Sequence, residues 1–140
     1  MTLRVAINGF GRIGRNVMRG WLSRGADTGL EIVGMNSTSD PKTSAHLLTY
    51  DSILGHIDRS VQIETTDETM IVNGKEIKFF ADRNPLNCPW KDWGVDLVIE
   101  STGVFNTDEK ASMHLEAGAS KVILTAPGKG DGVGTFVVGV

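Results

Sequence analysis

Three glycines near the start of the chain limit its folding more than any other feature. The run Asn8-Gly9-Phe10-Gly11-Arg12-Ile13-Gly14-Arg15 follows directly on apolar residues 3–7 and opens a helical pattern. Its spacing is G-x-G-x-x-G, and each glycine has a mechanical task. Gly9 allows a tight turn out of a strand. Gly11 has no side chain to hold the backbone away from a pyrophosphate, and Gly14 lets the following helix lie close to the sheet. The first turn of that helix offers unpaired N–H groups and a positive dipole end to phosphates. A strand before the glycines and a helix after them favour a dinucleotide site over an ordinary glycine-rich turn.

The rest of the chain repeats that alternation. Residues 3–7 are mostly apolar, as in a strand buried on both faces. Ile13, Val17, Met18, Trp21 and Leu22 form a helical stripe from residue 12 to about 23. Gly25 and Gly29 then lead into a second strand over 30–35, the length expected of a parallel crossover. Asp40-Pro41 starts a short helix, with Pro41 suited to its first turn and Ala45, Leu47, Leu48 and Ile53 as its inner face. Over residues 61–81 the pattern changes. Segments 61–63 and 69–72 alternate, Asn73-Gly74 is a strong hairpin signal, and 76–81 returns from it. Residues 82–94 connect to a buried strand over 95–99. Asn106 or Thr107 caps a helix that runs to about Ala117 and ends at Gly118. Segments 121–125 and 135–138 supply two more strands. This pattern predicts one domain over residues 1–140: a doubly wound α/β, mostly parallel sheet of the Rossmann type, with an antiparallel hairpin insertion near 61–81. Residues 134–140 read as an apolar strand on which the sequence stops, so the chain reads as a piece of a longer protein.

Composition narrows the classes of partner. A net charge of −3 without a run of like charges argues against nucleic acid and anionic membranes. No apolar stretch approaches a membrane span. A strand starting at residue 3 leaves no room for a targeting peptide unless one has been removed. The single cysteine excludes an internal disulfide and fits a reducing cytoplasm.

Ligands of such sheets bind outside the carboxyl ends of the strands. Residues 8–15, Asn36-Ser37-Thr38, Ser101-Thr102-Gly103 and Thr125-Ala126-Pro127-Gly128 should therefore converge. Their hydroxyls suit a phosphate or ribose, or else simply cap and turn the chain. NAD-selective sites carry an acidic residue about 20 positions beyond the glycines. Here Asn36-Ser37-Thr38 stands there, with no carboxylate before Asp40. A carboxylate about 4 Å from a 2′-phosphate would be repelled by several kcal/mol at an effective dielectric near 20. Neutral side chains remove that obstacle and admit NADP. Lys42 and Arg83 are candidate phosphate partners, and Asp40 keeps NAD open. Cys88 sits before Pro89 in the connecting segment, away from the strand ends, and is not read as a nucleophile. His46, His56 and His114 match no metal motif and read as surface or capping residues. Trp21, Trp90 and Trp93 read as core or linker packing.

The segment Ala6-Ile7-Asn8-Gly9-Phe10-Gly11-Arg12-Ile13-Gly14-Arg15 resembles the opening of glyceraldehyde-3-phosphate dehydrogenases. The likeness continues through Tyr50-Asp51-Ser52, Glu100-Ser101-Thr102-Gly103-Val104-Phe105 and Thr125-Ala126-Pro127, and covers the whole chain. Asp82-Arg83-Asn84-Pro85 and Pro127-Gly128-Lys129-Gly130 are similar to the photosynthetic branch of cyanobacteria and plastids, which uses NADPH to reduce 1,3-bisphosphoglycerate. The resemblance implies that the backbone at Arg12 and Ile13 holds the pyrophosphate, with the Ile13 side chain against the nicotinamide. Thr102 and Gly103 would line the cofactor, Thr125 would lie by its nicotinamide half, and Arg83 near its adenosine end. Ser37 stands where glycolytic relatives place an aspartate for the adenosine ribose, which favours NADP or dual use.

The resemblance further implies a triose phosphate substrate, a homotetrameric parent in cytoplasm or plastid stroma, and contacts with a redox-regulatory linker protein and phosphoribulokinase. The family's nucleophilic cysteine and histidine base would lie downstream, so these 140 residues alone should be inactive. Two alternatives stay open: erythrose-4-phosphate dehydrogenase, and a non-catalytic nucleotide-binding fragment or scaffold.

Overall fold

In the computed structural model, which describes residues 2–139, the chain alternates strands and helices as expected up to residue 124, apart from an unexpected short hairpin over residues 50–56. Strand β1 (Leu3–Asn8) leads into helix α1 (Arg12–Arg24), and β2 (Leu30–Asn36) into α2 (Pro41–Thr49). Two short strands follow, β3 (Tyr50–Asp51) and β4 (Gly55–His56). Then come β5 (Ile63–Thr65), β6 (Thr69–Val72), β7 (Lys75–Phe80), β8 (Leu97–Glu100), helix α3 (Asp108–Glu116) and β9 (Lys121–Leu124).

The seven-stranded sheet runs β5-β6-β7-β2-β1-β8-β9. From β7 to β9 all neighbours are parallel. The predicted hairpin over 61–81 is antiparallel, with Asn73 and Gly74 at positive φ (50° and 82°) in its turn. It is not a detached insertion, because β7 itself pairs in parallel with β2 and the hairpin extends the main sheet.

Central strand β1 feeds both faces. Val5 and Ile7 join a core with Met18 of α1, Leu48 of α2 and Met35, while Ala6 joins Val33, Trp90, Val95 and Val98 on the other side. Alternate residues entering two different cores explain why the strand sequence is apolar throughout. Asp40 caps α2 by accepting the Thr43 N–H at 2.6 Å, and Thr107 caps α3 by accepting that of Lys110 at 3.2 Å. The Arg19 guanidinium donates to the carbonyls of Leu48, Thr49 and Gly55, fastening the end of α2 and the β3–β4 hairpin onto α1.

Three expectations fail. Leu47 of α2 is 37% exposed and does not face inward. Ile53 does not face inward with α2. It lies at the tip of the β3–β4 hairpin, 77% exposed, because the helix ends at Thr49 and the chain reverses. Residues 135–138 form no strand. Phe136 and Val138 are almost fully exposed, and no neighbouring strand among the described residues offers them a ladder. Apolar, β-branched composition favours a strand only where a partner edge is available. Val140, the last residue of that expected strand, lies outside the described residues.

Candidate functional site: a cleft at the switch point

Strand order reverses at β1. The chain moves outward through β2 to β7, then crosses back to β8 on the other side of β1. Loops leaving β1 and β8 therefore diverge and open a crevice between them. A cavity of about 590 Å³ lies there. Of the predicted site residues, Asn8, Gly9, Phe10, Gly11, Asn36, Ser37, Thr38, Arg83, Ser101, Thr102 and Phe105 line it. Arg15, Ser39, Leu47, Asp82 and Val104 line it as well. Thus three of the four expected loops converge.

The glycines differ in what they make possible. Gly9 takes φ +91°, and a Cβ there would stand 2.7 Å from Thr102 Cγ2 and 2.9 Å from Thr102 N. A Cβ on Gly14 would meet the Gly9 carbonyl oxygen at 2.3 Å. These two residues let the β1 loop, the β8 turn and α1 close on one another. Gly11 is different: nothing lies within 4 Å of its Cβ position, and as N-cap of α1 it supplies no side-chain cap. A helix start left uncapped beside an open cleft suits an anionic group.

Other predicted residues have other neighbours. Ile13 is half-exposed on the first turn of α1, and the Arg12 guanidinium turns to Asp51, 3.2 and 3.1 Å from its two oxygens. Gly14 is buried under the loop, and Gly103 takes φ +80° beside open space. Thr125, at the end of β9, donates its hydroxyl to the Glu100 carbonyl at 3.0 Å. Ser101 donates to the Gly9 carbonyl at 2.6 Å, and Thr102 to Glu100 Oε1 at 2.5 Å. The hydroxyl protons at these strand ends are committed to the scaffold. Lys42 is exposed and lines no part of the cleft, and Asp40 is occupied as the cap of α2.

The family model described as glyceraldehyde 3-phosphate dehydrogenase, NAD binding domain, matches residues 3–108. The chain belongs to the glyceraldehyde 3-phosphate dehydrogenase family. It is 61% identical over 137 residues to glyceraldehyde-3-phosphate dehydrogenase 2 of Synechocystis, a match covering 98% of this chain and 40% of that protein. It is 57% identical to the chloroplastic enzyme of Chondrus crispus over all of this chain and 33% of that one. With chloroplastic glyceraldehyde-3-phosphate dehydrogenase A of Zea mays it shares 54% over 99% of this chain and 34% of the other. It therefore spans between a third and two-fifths of the length of these relatives.

Beneath the cleft of this glyceraldehyde 3-phosphate dehydrogenase domain runs a buried polar chain that the sequence did not disclose. The Asn36 amide accepts the Asp82 N–H (3.0 Å) and donates to the Asp82 carbonyl (2.7 Å) and to Asn8 Oδ1 (2.8 Å). Asn8 Nδ2 donates to Glu100 Oε2 at 2.5 Å, and His114 Nε2 lies 2.6 Å from the same oxygen. Trp90 Nε1 donates to His114 Nδ1 at 3.0 Å. His114 is fully buried, not a surface residue, because α3 turns it onto the end of β8. Burial pushes the Glu100 carboxyl upward, but hydrogen bonds from His114, Thr102 and Asn8 outweigh it and hold the group below its ordinary range.

Cys88 is buried, and desolvation, with Asp82 and Glu100 nearby, pushes its thiol up to about 12. It stays protonated at neutral pH and is no nucleophile. His46 and His56 pack on either side of Tyr50, with ring centroids 4.9 and 5.0 Å away, at the β3–β4 hairpin. Among the described residues no helix is long and apolar enough to cross a membrane.

Proposed function

We propose that the cleft binds NADPH in preference to NADH, and that residues 1–140 are the cofactor-binding domain of an enzyme interconverting 1,3-bisphosphoglycerate and glyceraldehyde 3-phosphate. The observation that carries this reading is the uncapped start of α1 at Gly11, open to a cleft whose β2 end offers neutral Asn36-Ser37-Thr38 and the Arg83 cation. In this reading the backbone from Gly9 to Ile13 takes the pyrophosphate. Ser37 and Arg83 take the adenosine ribose with its 2′-phosphate. Ser101, Thr102, Gly103 and Phe105 form the opposite wall, with Thr125 towards the nicotinamide half. Bound there, the cofactor supplies or accepts a hydride.

Asp82 adds a carboxylate to the adenosine end, held below its ordinary range by the Asn84 N–H and the Asn87 amide. Arg83, next in sequence and also in the cleft, carries the opposite charge, and in this reading the discrimination falls to the uncharged Ser37. Cys88, the one cysteine of the sequence, is unsuited to attack an aldehyde, so these residues serve binding and not covalent chemistry. The same reading places the parent in a homotetramer, in cytoplasm or plastid stroma, with a redox-regulatory linker protein and phosphoribulokinase as partners. The chloroplastic names of several relatives support the plastid part of that reading.

Calorimetric titration with NADPH and, separately, NADH tests the assignment. NADPH should bind more tightly. Ser37→Asp should weaken NADPH by about tenfold or more, equivalent to about 1.4 kcal/mol of charge repulsion, while sparing NADH. Tighter binding of NADH by the unaltered chain would overturn the preference, and binding of neither would overturn the site.

A further inference from the structure

Four donors converge on the two oxygens of one buried carboxylate. Glu100 Oε1 accepts the Thr102 N–H at 2.9 Å and the Thr102 hydroxyl at 2.5 Å. Oε2 faces the Asn8 amide at 2.5 Å and His114 Nε2 at 2.6 Å. The indole N–H of Trp90 can only donate, so His114 Nδ1 must be the lone-pair acceptor and Nε2 must carry the proton. His114 is thereby fixed as the neutral Nε2–H tautomer, donating to Glu100. All four lone-pair sites of the carboxylate are used, and every partner is a donor.

The partners stand at both lips of the cleft. Asn8 is the residue before Gly9, and Thr102 is the residue whose backbone and methyl group lie against Gly9. His114 also packs edge-on against Phe105 of the cleft wall, with centroids 6.4 Å apart. A single group on α3 therefore touches the glycine loop and the β8 turn through one carboxylate.

We propose that Glu100, held by the Nε2–H of His114, is the positioning residue of the dinucleotide cleft: it fixes the spacing between the glycine loop and the Ser101–Thr102 turn. This rests on the dinucleotide reading above. His114 contacts no ligand in it and acts only through Glu100 and Phe105. A displacement of about 1 Å at such a lip is large on the scale of ligand alignment.

Two substitutions of similar size separate positioning from mere packing. His114→Gln retains an N–H at the Nε2 position to donate to Glu100. His114→Asn keeps an acceptor for Trp90 but withdraws the donor. Titrated with NADPH at a temperature where both variants are folded, His114→Asn should bind about tenfold more weakly, the size of one charged hydrogen bond, and His114→Gln within about twofold of the unaltered chain. The amide resonances of Gly9 and Thr102 should move in His114→Asn and return in His114→Gln. Ring nitrogen shifts of the unaltered chain should report the Nε2–H tautomer.

Equal affinity in the two variants would overturn the proposal, as would an Nδ1–H tautomer. Failure of the dinucleotide reading looks different: the unaltered chain would bind no dinucleotide, yet the amide shifts would still follow the donor.

Discussion

On its sheet side the glycine loop rests on Glu100, and on its solvent side Arg12, at the start of α1, is held by Asp51 of the β3–β4 hairpin. Both carboxylates collect several donors, and both are held below their ordinary range. Their surroundings differ. Glu100 and His114 are wholly buried, so no water can replace a lost partner. On the outer flank the Asp51 carboxylate is itself 3% exposed, but its partner Arg12 is 44% exposed, so water reaches the guanidinium. A buried carboxylate or buried donor that loses its partner stays unsatisfied, whereas a pair with one exposed member is screened and weaker. A carboxylate is therefore held by buried neutral donors on one flank, and on the other by backbone N–H groups and a guanidinium that meets water.

The largest effect that would sharpen this contrast comes from Glu100→Leu. It leaves the buried donors of Asn8 and His114 without an acceptor, while those of Thr102 reach the open cleft, and should lower unfolding free energy by about 3–5 kcal/mol, read by urea denaturation. A loss under about 1 kcal/mol would mean that water reaches the carboxylate and that the two flanks are alike. Gly14→Ala attacks the inner flank sterically, since its Cβ would stand 2.3 Å from the Gly9 carbonyl oxygen. It should cost about 1–3 kcal/mol despite the better helix propensity of alanine. Gly20→Ala, in the same helix with nothing within 4 Å, should instead stabilise by about 0.5–1 kcal/mol. Opposite signs from one substitution in one helix would tie the cost to the loop and not to α1.

How far the sequence disclosed these flanks follows from the range of the interactions. The glycine loop, the Asn73-Gly74 turn and the parallel strands are set by local spacing, and each was legible. The convergence of three of the four strand-end loops followed from the rule that ligands bind beyond the carboxyl ends of such strands, while the strand order itself was not legible. His114 was not legible, because its partners lie 14 residues away at Glu100 and 24 away at Trp90. In sequence it is simply a histidine near the end of a helix. The β3–β4 hairpin escaped notice for the opposite reason: its strands are two residues long and carry no periodicity. The apolar run over 135–138 misled because β propensity says nothing about whether a neighbouring edge exists. The strand-end hydroxyls kept both readings open, and only the distances show that Ser101, Thr102 and Thr125 donate inward.

The outer flank yields the smallest effect and the cleanest sign. Asp51 Oδ1 accepts the Ile53 and Leu54 N–H groups, while Oδ2 approaches Arg12 at 3.1 Å. Asp51→Asn keeps a carbonyl oxygen for the turn and removes the charge that faces both Arg12 and the two N–H groups, so it tests the charge without deleting the turn's acceptor. The N–H groups of Leu54 and Ile53, with help from Arg12, bring the Asp51 carboxyl from 3.8 down to about 2. A lowered folded value means that the group stabilises the fold above its unfolded value and loses that contribution as pH falls through the folded one. The melting temperature of Asp51→Asn should therefore lie roughly 1–3 °C below that of the unaltered chain at neutral pH. The gap should persist down to about pH 4 and close between there and about pH 2. High salt should shrink it as well, by screening the exposed guanidinium. A gap as large as that of Glu100→Leu, or one indifferent to both acid and salt, would break the contrast between the two flanks.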